Sequence, residues 1–233
     1  MTDATTQVGI AAIVTDIEGT TSDIAFVKNV LFPYAAKHLP DFVRAHQHEP
    51  EVKEALLQVA GEIGWVDAET EALIEVLLRW IEDDRKATPL KTLQGMIWKA
   101  GYENGDFTGH VYTDAHQYLQ AWQADGIELY VFSSGSVPAQ KLLFGYSDFG
   151  DMTPLFSGYF DTRTGAKREA AAYKAILQAI DLPAEHVLFL SDIAEELDAA
   201  LRAGMKTCEL RRDGAAPSSR HPVATTFAEI ACD

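Results

Sequence analysis

The pentapeptide Asp16-Ile17-Glu18-Gly19-Thr20 follows an apolar run, Ile10 to Thr15, and sets two carboxylates at positions i and i+2. Acids so spaced leave a strand end close together, and Gly19 permits a tight turn behind them. One carboxylate can attack phosphorus and form an aspartyl phosphate. The other can give a proton to the leaving group and take one from water. Mg2+ is then needed between carboxylate and phosphate oxygens, because an anionic nucleophile must approach an anionic electrophile. Acidic residues, Gly and Thr also decorate ordinary loops after strands. The pentapeptide therefore counts only in company.

That company comes later in the chain. Ser133 and Ser134 precede Gly135 and a helix start, so hydroxyls and free backbone N–H groups can cradle a phosphate there. Plain helix N-capping is the ordinary alternative. Lys167 follows the turn-rich segment Asp161 to Gly165 and can balance phosphate and nucleophile charge. Arg163 and Arg168 compete for that role, and a solvated lysine is the ordinary alternative. Asp192 ends a third apolar run and offers the hard oxygen that Mg2+ prefers. Asp192-Ile193-Ala194-Glu195 also has capping-box spacing, and Glu195 or Glu196 can tune the site from behind. In chain order these are a nucleophile, a hydroxyl, a lysine and a metal acid.

Such a set works only if the fold brings strand ends together. Ile10–Thr15, Ile127–Phe132, His186–Leu190 and Lys206–Leu210 read as strands, the first and third apolar enough to be buried on both faces. Helices are expected over 138–144, 168–180 and 194–203, the last stopped by Gly204. Alternating strands and helices predict an α/β fold with a Rossmann-like parallel sheet, which binds ligands beyond the carboxyl ends of its strands. Asp16, Ser133 and Asp192 sit at such ends. Residues 25–115 have no convincing strand. Their helical stripes, one of them running from Leu73 to Ile81 behind Asp67 as N-cap, predict an all-helical insert over the sheet's active edge. The expected division is a core of 1–24 and 116–233 with a helical cap of 25–115.

The 233 residues are 47% hydrophobic and 23% charged, the mix of a globular protein with a proper core. The net charge of −16 repels nucleic acid and anionic membranes, and neither is an expected partner. It also repels phosphorylated substrates, so a cation and a few placed basic groups must reverse the potential locally. Cys208 and Cys232 make no metal pair or disulfide framework and read as a core thiol and a tail thiol. Residues 1–8 lack the basic flank and apolar stretch of a leader, and no run approaches the ~18 residues that span a bilayer. A cytoplasmic monomer is expected.

The ordered set resembles the haloacid dehalogenase superfamily of phosphotransferases. Longer stretches are similar to its acireductone synthase family, the enolase-phosphatases of methionine salvage. They are Asp16–Thr21, Ile24–Val27, Leu31–Tyr34, Thr88–Lys91, Leu93–Trp98, Gly109–Tyr112, Ser133–Val137 and Gln140–Phe144. Glu18 stands where most of the superfamily has Asp, and Glu is similar to what this family uses. The resemblance implies enolisation and then dephosphorylation of 2,3-diketo-5-methylthiopentyl-1-phosphate. It implies one Mg2+ per subunit, which polarises a carbonyl and offsets charge at phosphorus. It also implies Asp16 as nucleophile and metal ligand, and Glu18 as acid/base residue with its backbone carbonyl on Mg2+. Ser133, Ser134 and Lys167 are implied on phosphate, and Asp192 on the metal. The enolisation base is left open, with Glu18 the candidate. Lys91, Gln94 and Trp98 are candidates for gripping the methylthio end, against ordinary helix packing.

Three rivals remain at this level. Another phosphatase, or a dehalogenase that needs no Mg2+, can use the same fold. A phospho-accepting receiver module uses a similar acid, hydroxyl and lysine, but is usually near half this length and lacks the insert. A catalytically dead binding protein would have no reason to keep all five positions.

Overall fold

A computed structural model of the chain describes residues 9–65, 67–214, 216 and 220–232. Residues 1–8, read above for a leader, lie outside them. The chain forms two compact units, Met1–Ile24 with Gly109–Asp233, and Ala25–Thr108.

The first unit is built on six parallel strands: β1 Ala12–Thr15, β2 Glu128–Phe132, β3 Gly158–Phe160, β4 Val187–Ser191, β5 Lys206–Leu210 and β6 Val223–Ala224. Their order is β3-β2-β1-β4-β5-β6. Every residue of β1 and β4 is buried, as their unbroken apolar runs require. Thr15 lies opposite Val131 of β2 and Leu190 of β4, so all three strands end at about one level. The order reverses between β1 and β4, which opens a crevice at their carboxyl ends. Edge strands β3 and β6 carry too few residues for a legible alternation and were not expected.

Helix α8, Ala170–Ile180, and α9, Ala194–Arg202, cover one face of the sheet. Their Ala172, Tyr173, Ile176, Leu197 and Ala200 pack with Val14, Phe132 and Phe189. Tyr173 meets Phe132 and Phe189 edge-on at 5.5 and 5.0 Å. Burying each such ring contributes about 1.5–3 kcal/mol, and this cluster forms the floor beneath the site. Helix α6, Thr113–Ala124, was not foreseen, although Ala115, Leu119 and Trp122 give it a buried stripe. Residues 109–115 group with the sheet: Tyr112 N donates to Thr21 O, and Gly109 N to Tyr146 O. Cys208 is buried on β5, as a core thiol should be.

The second unit is helical. A short helix α1, Ile24–Phe26, passes through a π-helical turn, Val27–Leu31, into α2, Phe32–His46. Helices α3, Pro50–Ile63, α4, Thr70–Glu82, and α5, Thr88–Asn104, complete it. Leu39 and Val43, Val52 and Val59, Leu73 and Leu77, and Leu93 and Ile97 recur at helical spacing and share one buried core. Asp67 is not the N-cap of α4, which starts at Thr70 behind Glu69 without a side-chain cap. Pro89 falls in the first turn of α5, where a proline gives up no needed N–H. Trp98 donates to Leu31 O at 2.8 Å and stacks on Phe32, so packing accounts for it. Among the described residues, no helix is long and apolar enough to cross a membrane.

Candidate active site

Asp16 leaves β1 with its backbone N–H bound to Leu190 O of β4 at 2.9 Å. The chain then closes on itself: Thr20, Thr21 and Ser22 all donate to Ile17 O, and Gly19 N donates to Ser22 O at 2.7 Å. Gly19 holds φ +76°, a conformation that favours glycine. A Cβ there would stand 2.3 Å from Asp192 Oδ2, so only glycine lets the acid turn pass this close to Asp192.

Of the three basic contenders, Lys167 is the one that the fold brings to Asp16. Lys167 is buried, with Nζ 2.6 Å from Asp16 Oδ1 and 2.7 Å from Glu196 Oε2. The Asp16 contact is an ion pair set off the ideal hydrogen-bond angle. Arg163 is instead spent on Asp161, which also takes the Val137 N–H that opens helix α7, Val137–Gly145. Arg168 is exposed. Lys167 precedes α8, and Tyr173 Oη donates to its carbonyl at 2.7 Å.

The two capping alternatives fail. Ser136, not Ser133, caps α7 by accepting from Ala139 N. Ser133 is fully buried, accepts from Gly135 N, and points its hydroxyl at Glu18 Oε2 across 3.4 Å. Ser134 is exposed on the same loop. Asp192 does not cap α9, whose N-cap is Ile193 with no side-chain bond. Ser191 accepts from Ile193 N in its place. Glu195 is exposed and Glu196 buried, so Glu196 is the acid that reaches the site. Sequence reasoning missed Gln140, which is 2% exposed and whose amide donates to both Gly135 O and Phe160 O at 2.8 Å. It braces the Ser133 loop; the sequence marks it only as the first residue of the similar stretch Gln140–Phe144, with no role.

Four carboxyls thus face one ammonium. Burial and the Asp16 charge push Glu18 up, and push Asp192 up to about 6 and Glu196 up to about 7. Burial alone would discharge Lys167, but Asp16 and Glu196 outweigh it and hold the ammonium above its usual value. The residues fit a divalent cation. Asp192 Oδ1 is buried without a hydrogen-bond partner, and the acids outnumber the cation. Among the described residues no three acidic, Cys or His side chains form a closed cluster. Sparse protein donors suit Mg2+, which keeps waters and takes oxygens from phosphate.

A doubly wound parallel sheet with acid, hydroxyl, lysine and acid gathered at its carboxyl edge defines a phosphate-handling hydrolase. The model of the haloacid dehalogenase-like hydrolase family matches residues 10–204. Enolase-phosphatase E1 of Pseudomonas aeruginosa (strain UCBPP-PA14) is 59% identical over 221 residues, which cover 95% of this chain and 98% of that one. Enolase-phosphatase E1 of Alcanivorax borkumensis is 60% identical, with the same coverage. Among solved structures, the UTR4 protein of Saccharomyces cerevisiae superposes with a TM-score of 0.79 at 36% identity, covering 95% of this chain and all of that one. The chain belongs to the haloacid dehalogenase-like hydrolases and, within them, to the enolase-phosphatase E1 family.

Proposed function

We propose that the chain enolises 2,3-diketo-5-methylthiopentyl-1-phosphate and then hydrolyses its phosphate, giving 1,2-dihydroxy-3-keto-5-methylthiopentene. The observation that carries this reading is a glutamate, Glu18, two residues beyond Asp16 with its carboxylate facing Ser133. The whole-length likeness to proteins called Enolase-phosphatase E1 supports it.

The product places the new double bond between C1 and C2, so a proton leaves C1 and the C2 oxygen gains one. Glu18 is the candidate base that removes the C1 proton, since burial and the Asp16 charge raise its proton affinity more than Lys167 lowers it. Asp16 then attacks phosphorus, the bond between phosphorus and the C1 oxygen breaks, and Glu18 gives that oxygen the proton it took from C1, while the C2 oxygen draws its own from solvent. Water next attacks the aspartyl phosphate, with Glu18 now taking a proton from it, and free phosphate leaves. Lys167, Ser133 and Ser134 hold the phosphate oxygens throughout. Asp16, Asp192 and the Glu18 carbonyl would hold Mg2+, one per subunit, which supplies Lewis-acid charge stabilisation when bound. The helical unit, inserted just after the acid turn, takes the role of cap in this reading.

An anaerobic assay with the diketone phosphate and Mg2+ tests the proposal, following enol absorbance and free phosphate in parallel. Both signals are expected, and both are expected to vanish with EDTA. Phosphate without an enol, or neither signal, overturns it in favour of a capped phosphatase with another substrate. Glu18→Asp shortens the reach by one methylene. It is expected to spare hydrolysis of a simple phosphate ester while slowing enol formation by about 10-fold or more. Equal losses in both reactions would remove Glu18 from the enolisation step.

A further inference from the structure

The acid turn is held from outside by a residue far along the chain. Arg212, just after β5, donates from Nε and Nη2 to the single carbonyl oxygen of Thr20, at 3.0 and 2.7 Å. Its Nη1 pairs with Asp114 of α6 at 2.6 Å, and the same Asp114 oxygen also accepts from Phe227 N. The guanidinium lies 4.3 Å from the Tyr112 ring centroid and 5.0 Å from that of Phe227. Tyr112 in turn donates its backbone N–H to Thr21 O. The Arg212 side chain is only 11% exposed, and Thr20 not at all.

We propose that Arg212 is a positioning residue for Glu18. The proposal rests on the assignment of Glu18 as the acid/base residue. Hydrogen bonds within the turn close it onto Ile17 and Ser22, and Tyr112 N ties Thr21 to the segment before α6, but the Thr20 carbonyl needs a tie of its own. Arg212 supplies such a tie, joining Thr20 to α6 and to the segment at Phe227. Three properties of the guanidinium are used at once: a planar fork onto one oxygen, a charge on Asp114, and a flat face between two rings. Lysine has only the charge. Without the fork, a buried carbonyl loses both donors and the turn can relax. A small displacement of Glu18 penalises proton transfer more than binding. Phosphate binding should survive, because Ser133 is braced by Gln140 and Lys167 by Asp16, Glu196 and Tyr173, all independent of Thr20.

The test is Arg212→Lys, alone and combined with Glu18→Asp or Ser134→Ala, read by phosphate release from the diketone phosphate across pH. Arg212→Lys is expected to lower kcat about 10-fold with KM within about 2-fold, and to shift the pH limb that Glu18→Asp also shifts. Combined with Glu18→Asp it should add about 2-fold or less, whereas with Ser134→Ala, at a residue exposed on the other strand-end loop, the losses should multiply. A wild-type kcat, a loss carried by KM, or full multiplication with Glu18→Asp overturns the proposal. A lowered melting temperature without any of the kinetic changes means a purely structural role and also overturns it. If Glu18→Asp and Glu18→Gln both keep wild-type kcat, the assignment of Glu18 falls, and Arg212 with it. If they slow the enzyme and Arg212→Lys does not, only Arg212 falls.

Discussion

Asp16→Asn is expected to abolish phosphate release, lowering kcat by about 10⁴-fold or more, as loss of a covalent nucleophile does. The substitution keeps the shape of the side chain and removes its charge and nucleophilic lone pairs. The fold should survive it. Asp16 is placed by its backbone N–H on Leu190 O and by a strand whose other residues are all buried. Removing one of four clustered carboxyls also relieves repulsion, since Asp16 raises the proton affinity of Glu18, Asp192 and Glu196. Lys167 loses Asp16 but keeps Glu196 as its partner, so the variant should stay folded while releasing no phosphate. Acid-quenched wild-type enzyme should carry phosphate on Asp16, detectable by mass spectrometry. Normal phosphate release from the variant would rule out the covalent route.

Lys167→Met should have the next largest effect, and it acts on stability as well as rate. Lys167 lies between Asp16 and Glu196, its side chain 6% exposed. Removing one partner of a buried ion pair leaves uncompensated charge, at a cost of about 3–5 kcal/mol. Loss of the ammonium at the phosphate should also lower kcat/KM by about 10²–10³-fold. Protonation of Glu196 is the escape, and it gives the effect a pH sign. Burial already raises Glu196 from its ordinary 4.5 to about 7, so the folded state binds this proton more tightly than the unfolded one. That contribution to stability is complete below about 4.5 and is lost as pH rises through about 7. Without Lys167 the folded value rises further, and the loss extends to higher pH. The gap in melting temperature between variant and wild type should thus be wider at pH 8 than at pH 6. A gap independent of pH would mean that Glu196 does not take up the proton. No gap at all would mean that the buried pair does not stabilise the fold.

The chemical order of the site was legible in the chain, because each of its pieces is local. An apolar run that ends in an acid or a hydroxyl is a buried strand reaching a polar edge, and such runs mark Asp16, Ser133 and Asp192 directly. The helical stripes at Leu73–Ile81 and Ala172–Ile180 are equally local, since spacing along the chain sets which face of a helix is apolar. Strands β3 and β6 escaped notice for the same reason, being too short for their edge positions to leave a pattern.

Choices among equivalent residues were made by the fold. Lys167, Arg163 and Arg168 look alike in the sequence, and only packing over Tyr173 buries the first and leaves the others outside. Asp192 and Ser133 have the spacing of helix caps, yet Ile193 and Ser136 stand at the cap positions, which releases both side chains toward the site. Gln140 beside the Ser133 loop lies in a stretch that carries the family resemblance but nothing local assigns its side chain a role, and Arg212 on Thr20 carries no motif at all. Local periodicity is encoded by neighbours a few residues apart. A carbonyl on one loop and a guanidinium nearly the whole chain away meet only because the parallel sheet sets β5 one strand beyond β4. Such a pairing costs chain entropy that no local pattern records, and it exists only once the sheet has formed.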